Sequence, residues 1–102
     1  MHQLIVTFTL APDVPIDRFL EWSRTVDQPR TGAYPECREF EVYPVVIHNG
    51  QVAQTCDILE RAVIDNYADW RERLASDEHA DVAAQFDELV ISETVQVFVT
   101  EM

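Results

Sequence analysis

Apolar positions along this chain recur at every second residue, then at every third or fourth, and the pattern switches more than once. In Gln3-Leu4-Ile5-Val6-Thr7-Phe8-Thr9-Leu10, β-branched and aromatic residues alternate, with Leu4, Val6, Phe8 and Leu10 on one face. This predicts a strand over 3–10, stopped by Pro12. Pro15 suits a first helical turn, where its missing N–H costs nothing, and Ile16, Phe19, Leu20, Ser23 and Val26 follow at helical spacing. A helix is therefore predicted over 15–27, ended by Pro29 and Gly32. A long strand is predicted over 37–47, followed by Asn49-Gly50 and a return strand running to about Arg61. Asn-Gly between two such runs favours a two-residue type I′ hairpin, because both turn positions need positive φ.

If that hairpin register continued unbroken, Glu39 would face Glu60 and Arg38 would face Arg61, and like charges directly opposite are unfavourable. A β-bulge near Pro44 would instead pair Arg38 with Glu60 and Phe40 with Ile58, and that is the expected register. Ile64, Tyr67, Trp70 and Leu74 predict a second helix. Ser76, with Asp77 and Glu78 after it, is placed to cap a third, which carries Val82, Ala83, Phe86, Leu89 and Val90. The alternation over 94–99 predicts the last strand.

The order is βαββαβ with an extra helix before the last strand. It predicts an α+β fold of the ferredoxin-like kind, with helices packed on one face of a four-stranded antiparallel sheet. The opposite face is expected to carry apolar residues such as Ile5, Tyr43 and Phe98, and an uncovered apolar face favours a partner. A homodimer of two such sheets packed face to face is the expected assembly. The 102 residues suit one domain, 1–102, without repeats or linkers.

Charge narrows the function classes. Nineteen acidic residues against seven basic ones give a formal charge of −12. Such a surface repels phosphate backbones and anionic lipid, which argues against nucleic-acid and membrane partners. No apolar run approaches the roughly 18 residues of a membrane span, and no leader pattern precedes the first strand. Cys37 and Cys56 have no CxxC spacing and read as free thiols of a cytoplasmic protein. His2, His48 and His79 are scattered without paired metal-ligand spacing, and there is no Gly-rich phosphate loop, so neither a metal nor a nucleotide cofactor is expected.

Three stretches carry a family resemblance. Phe19 to Pro29 resembles the helix-then-Pro element of small dimeric α+β barrel proteins. Tyr34-Pro35-Glu36-Cys37-Arg38-Glu39-Phe40-Glu41-Val42-Tyr43 resembles their entry into the second strand, and Ser76-Asp77-Glu78-His79-Ala80-Asp81-Val82-Ala83 their helix start. The Asp-x-Pro of Asp27 to Pro29 is most similar to the RedY-like (HapK) group of secondary-metabolite pathways. That resemblance implies a cofactor-independent enzyme acting on a small hydrophobic or aromatic metabolite, and in particular a cyclase closing a ring on a bisindole- or pyrrole-like intermediate. A cofactor-independent monooxygenase and a non-catalytic carrier are the alternatives.

His79 lies in the first turn of its predicted helix, where the dipole favours the neutral imidazole, and it resembles an acid/base histidine of polyketide cyclases with this fold. Asp27, near a helix C-terminus that disfavours an acid, is the second catalytic candidate: burial would raise its pKa toward that of a useful acid or base. Arg73 stands where some of those cyclases carry a tyrosine, which argues against a tyrosine–histidine pair and suggests a carbonyl- or carboxylate-binding arginine. Trp22, Tyr34, Tyr43, Trp70 and Phe86 are candidates to bind a flat ligand. For each of these residues the structural alternative is plain: a capping or packing role for His79, a solvated residue or one tying down the following turn for Asp27, a surface residue of the second helix for Arg73, ordinary core for the aromatics.

Overall fold

The computed structural model describes residues 1–52 and 57–102. β1 (His2–Phe8) leads into a helical run made of α1 (Ile16–Trp22), a π turn (Ser23–Asp27) and α2 (Gln28–Thr31). Then come β2 (Cys37–Pro44), the short pair β3 (Ile47–His48) and β4 (Gln51–Val52), and β5 (Ile58–Ile64). α3 (Tyr67–Leu74), a 3-10 turn (Asp77–His79), α4 (Ala80–Leu89), another 3-10 turn (Ser92–Thr94) and β6 (Gln96–Glu101) complete the chain. The main sheet has the order β2-β5-β1-β6, antiparallel throughout, as the ferredoxin-like reading requires.

Alternation sorts the strands into two faces. Leu4 and Phe8 of β1 and Ile58, Ala62 and Ile64 of β5 are buried beneath the helices. Phe8 makes edge-to-face contacts with Phe19 and Phe86, at centroid distances of 5.4 and 5.0 Å, and this aromatic cluster ties α1 and α4 to the sheet. The other face is mixed. Phe98 and Tyr43 are exposed there, while Arg61 bridges Glu39 at 2.6 Å and Glu41 at 2.7 Å and donates to Gln3 at 2.8 Å.

The hairpin tip forms as expected: Asn49 and Gly50 have φ of 54° and 76°, and His48 pairs with Gln51. The expected register beyond it does not hold. Phe40 pairs with Ala62 and Pro44 with Ile58, so Glu60 lies opposite Val42 and Glu41 opposite Arg61. Like charges are indeed kept apart, but by a leg from Val52 to Ile58 that is longer than the leg from Pro44 to Ile47, with the ladder irregularity at Cys37/Glu39. Ala53, Gln54, Thr55 and Cys56, part of the expected return strand, lie outside the described residues. Cys37 is a free, half-buried thiol.

Three further boundaries differ. Pro29 does not end the first helical run, which continues to Thr31. The π turn opens the helix by one residue, the Gln28 N–H bonding the Ser23 carbonyl, and Pro29 falls in the first turn of the α-helix that restarts there, where its N–H is not needed. Ile64 belongs to β5, fully buried, and Asn66 starts α3 by accepting the Asp69 N–H at 2.9 Å. Ser76 occupies the cap position with extended backbone, yet its hydroxyl donates to the Arg73 carbonyl at 2.6 Å and caps nothing. The last strand begins two residues late because Thr94 is held in a turn, donating to the Ile91 carbonyl and accepting the Thr9 N–H.

Candidate functional site

The π turn sets the first side of the site. It rotates Asp27 and Thr31 inward together, 6% and 3% exposed, and the Thr31 hydroxyl donates to Asp27 Oδ1 at 2.6 Å. Next to them, strand alternation points Glu60 of β5 inward between Ile58 and Ala62. Its Oε2 is buried and has no hydrogen-bond partner among the described residues. Burial raises the Asp27 carboxyl above its ordinary range, opposed by the Thr31 hydrogen bond. Burial and the Asp27 charge together hold Glu60 well above the usual carboxylate range. Two neighbouring buried carboxyls cannot both ionise cheaply, so the pair keeps one proton where ordinary carboxyls have lost theirs.

His79 closes the opposite side, also buried. Arg30 of α2 reaches across to both Asp81 oxygens, at 3.0 and 3.1 Å, and to the Glu78 carbonyl at 3.1 Å, which pins the 3-10 turn that carries His79. The Tyr34 hydroxyl and His79 Nδ1 are 2.9 Å apart. Burial lowers the His79 pKa, helped by the Arg30 charge and opposed by Asp81, so the ring is neutral at neutral pH. Burial also raises Tyr34, the Glu78 charge adding to it, and the phenol keeps its proton. In the tautomer in which Tyr34 donates to Nδ1, the imidazole carries its own hydrogen on Nε2.

Asp27, Thr31, Glu60 and His79 border one cavity of about 270 Å³ between the sheet and the helices, with Tyr34 held behind His79 outside its lining. Leu4, Val6 and Ala62 line its sheet side and Trp70, Val82 and Phe86 its helix side; Asp27, Thr31, Glu60 and His79 supply buried polar groups. Arg71 and Asp87 reach its wall from exposed positions. The arrangement offers proton donors and acceptors within an apolar enclosure. Among the described residues, no group of three or more His, Cys, Asp and Glu is placed to hold a metal ion.

The sequence-derived candidates separate accordingly. Asp27, His79, Trp70 and Phe86 meet at the cavity. Trp22 stands behind it, donating to Gln85 at 2.7 Å and packing on Phe19. Tyr43 lies on the far sheet face, bonded to Glu41. Arg73 pairs with Glu36 at 2.8 Å and Glu78 at 2.9 Å, its guanidinium 5.1 Å from the Tyr34 ring centre, so it holds Tyr34 from behind. The tyrosine–histidine pair that Arg73 argued against is therefore present, its tyrosine coming from the segment before β2 rather than from α3. Glu60 had gone unnoticed as a site residue. Its signal was a lone acid in phase with Ile58, Ala62 and Ile64.

Comparison with known proteins supports the fold and places the chain. No curated protein sequence matches it significantly. The crystal structure of HapK from Hahella chejuensis superposes with a TM-score of 0.82 at 19% identity, covering 100% of this chain and 92% of that one. The hydroxynitrile lyase from Passiflora edulis gives 0.74 at 13% identity, covering 99% and 92%. A dimeric ferredoxin-like protein of unknown function from Thermobifida fusca gives 0.72 at 17% identity, covering 99% and 90%. The family described as REDY-like protein HapK matches residues 2–102, nearly the whole sequence. The chain belongs to the REDY-like HapK family.

Proposed function

We propose that the cavity is the active site of a cofactor-independent enzyme of secondary metabolism, a cyclase closing a ring on an aromatic, pyrrole- or bisindole-like intermediate by acid–base chemistry. One observation carries this reading: a neutral, tyrosine-held histidine and a one-proton carboxyl pair border the same apolar enclosure. Environments that push the pKa values of neighbouring groups apart are how one site holds an acid and a base together. Asp27 takes a proton from the ligand, creating the nucleophile. The His79 Nε2–H hydrogen-bonds the oxygen that receives the electron pair as the ring bond forms, and the carboxyl pair returns the proton to that oxygen. The apolar lining holds the two ends of the ligand in reach of each other. At about 270 Å³ the cavity is at the small end of ligand sites, which favours a compact ring system.

Incubation of candidate aromatic intermediates with wild type, His79→Ala and Asp27→Asn, with product mass and oxygen uptake followed, tests the reading. Ring closure without oxygen uptake, lost in either variant, supports the cyclase. Oxygen consumption with a matching mass gain replaces it with a monooxygenase, and binding with unchanged chemistry in all three proteins replaces it with a carrier.

The assembly we propose is a homodimer closed through the uncovered sheet face, on which Ile5, Leu59, Val63 and Phe98 lie. Phe98 is 52% exposed there, and the T. fusca relative is described as dimeric. Sedimentation of Phe98→Glu should give a monomer where wild type gives a dimer. A cytoplasmic setting suits the free Cys37 thiol, and no described helix is long and apolar enough to cross a membrane.

A further inference from the structure

Glu60 is a costly side chain to leave as it stands. It is 9% exposed, it is flanked on its strand face by Ile58 and Ala62, and its Oε2 has no partner among the described residues. Buried carboxyl oxygens are ordinarily satisfied, and one that is not is destabilising. The same atom belongs to a residue lining the cavity. Glu60 therefore presents its carboxyl group to a space large enough for a ligand while one of its oxygens lacks a partner among the described residues, and the ionised carboxyl calls for a hydrogen-bond donor.

Charge around the cavity specifies that donor further. The titratable groups on its lining are Glu60 from β5, Asp27 from the π turn, His79 from the 3-10 turn, Tyr67 and Arg71 from α3, and Asp87 from α4. Arg71 is exposed, with its guanidinium 5.8 Å from the Tyr67 ring centre, and the exposed Asp87 opposes its charge. Burial keeps His79 neutral at neutral pH. The interior thus holds two carboxyls and no buried cation among the described residues.

We propose that Glu60 anchors a positively charged or strongly N–H-donating nitrogen, of the amidinium or protonated-imine class, on a flat ligand held in this cavity. The inference rests on the cavity being a small-molecule site. A cation on Glu60 makes its ionised form cheap, so Glu60 gives up the proton that burial and the Asp27 charge hold on it, and Asp27 stays charged beside the bound ligand. Thr31 holds the other carboxyl in place while this happens.

Three probes of nearly one shape read the charge directly: benzamidine, benzamide and benzoate, titrated by calorimetry and ligand-observed NMR. Benzamidine should bind wild type at least about 10-fold more tightly than benzamide, the factor expected of a hydrogen bond to a charged group, and benzoate more weakly still. Its affinity should rise with pH as the carboxyl pair gives up its proton. Glu60→Gln should remove most of the benzamidine preference. Asp27→Asn, which keeps the anchor and removes its competitor for charge, should retain it or increase it. Because Glu60→Gln can also change folding, Glu60→Leu serves as a second variant, with cooperative thermal unfolding as its control. The proposal is overturned if the three probes bind alike, if none binds, or if either Glu60 variant keeps the preference. Such a failure leaves the cyclase reading intact, since that reading is judged on product formation.

Discussion

Replacing Glu60 by Gln should stabilise the protein, and by an amount that grows with pH. In the folded state the carboxyl is held well above its ordinary pKa by burial and the Asp27 charge. In the unfolded chain it titrates near the ordinary 4.5. Above that value the unfolded state gives up this proton while the folded state still binds it. Stability from this group is therefore lost as pH rises from the unfolded toward the folded pKa. At pH 5 the buried carboxyl is protonated and neutral, as a Gln amide is, and the two proteins should differ little. At pH 8 the wild type must either hold a proton against the solution or carry an unpartnered buried charge.

The cost of an unsatisfied buried polar group, about 1–3 kcal/mol, sets the expected advantage of the variant there. For a chain of this size that corresponds to at least about 4 °C in Tm. Urea unfolding of both proteins at equal concentration, from pH 5 to 8, gives the difference directly. Contributions from the many surface acids cancel in that difference, and fixed concentration removes the effect of association. The reasoning is refuted if the difference is flat with pH, or if wild type gains on the variant as pH rises.

Three other outcomes are expected. Thr31→Val removes the hydroxyl that donates to Asp27, so the Asp27 carboxyl should titrate higher still in a carbon-detected NMR titration, with about 1–2 kcal/mol of stability lost. Tyr34→Phe removes the donor to His79 Nδ1; nitrogen NMR should show the single Nε2–H tautomer of wild type give way to a mixture, and turnover should fall about 10-fold or more. Gly32→Ala would place a Cβ 2.7 Å from the Gln28 carbonyl oxygen, and this backbone clash at the end of the helical run should lower stability by about 1–3 kcal/mol in chemical denaturation.

Local chemistry made much of the fold legible. The alternation in β1 and the helical spacing through Phe19 are written in adjacent residues, as is the Asn49-Gly50 turn with its positive φ values. Those features depend on interactions within a few positions, so a single sequence reveals them. Asp27 was visible for the same reason, as an acid at a helix end that disfavours it, whereas His79 was picked out by its helix-start position and by resemblance.

What tertiary structure decided lies between segments distant in sequence. The strand register beyond the hairpin, with Glu60 opposite Val42 rather than Arg38, depends on how many residues each leg places between the tip and the sheet. The π turn lets the helix pass through Pro29, and no local propensity announces it, because its reward is the inward turn of Asp27 and Thr31 against the core. The joining of Asp27 with Glu60, and of His79 with Tyr34, exists only once the helices are laid across the sheet. Periodicity assigns a side chain to a face. Which partners await it there is settled by packing, and with them its charge and its chemistry.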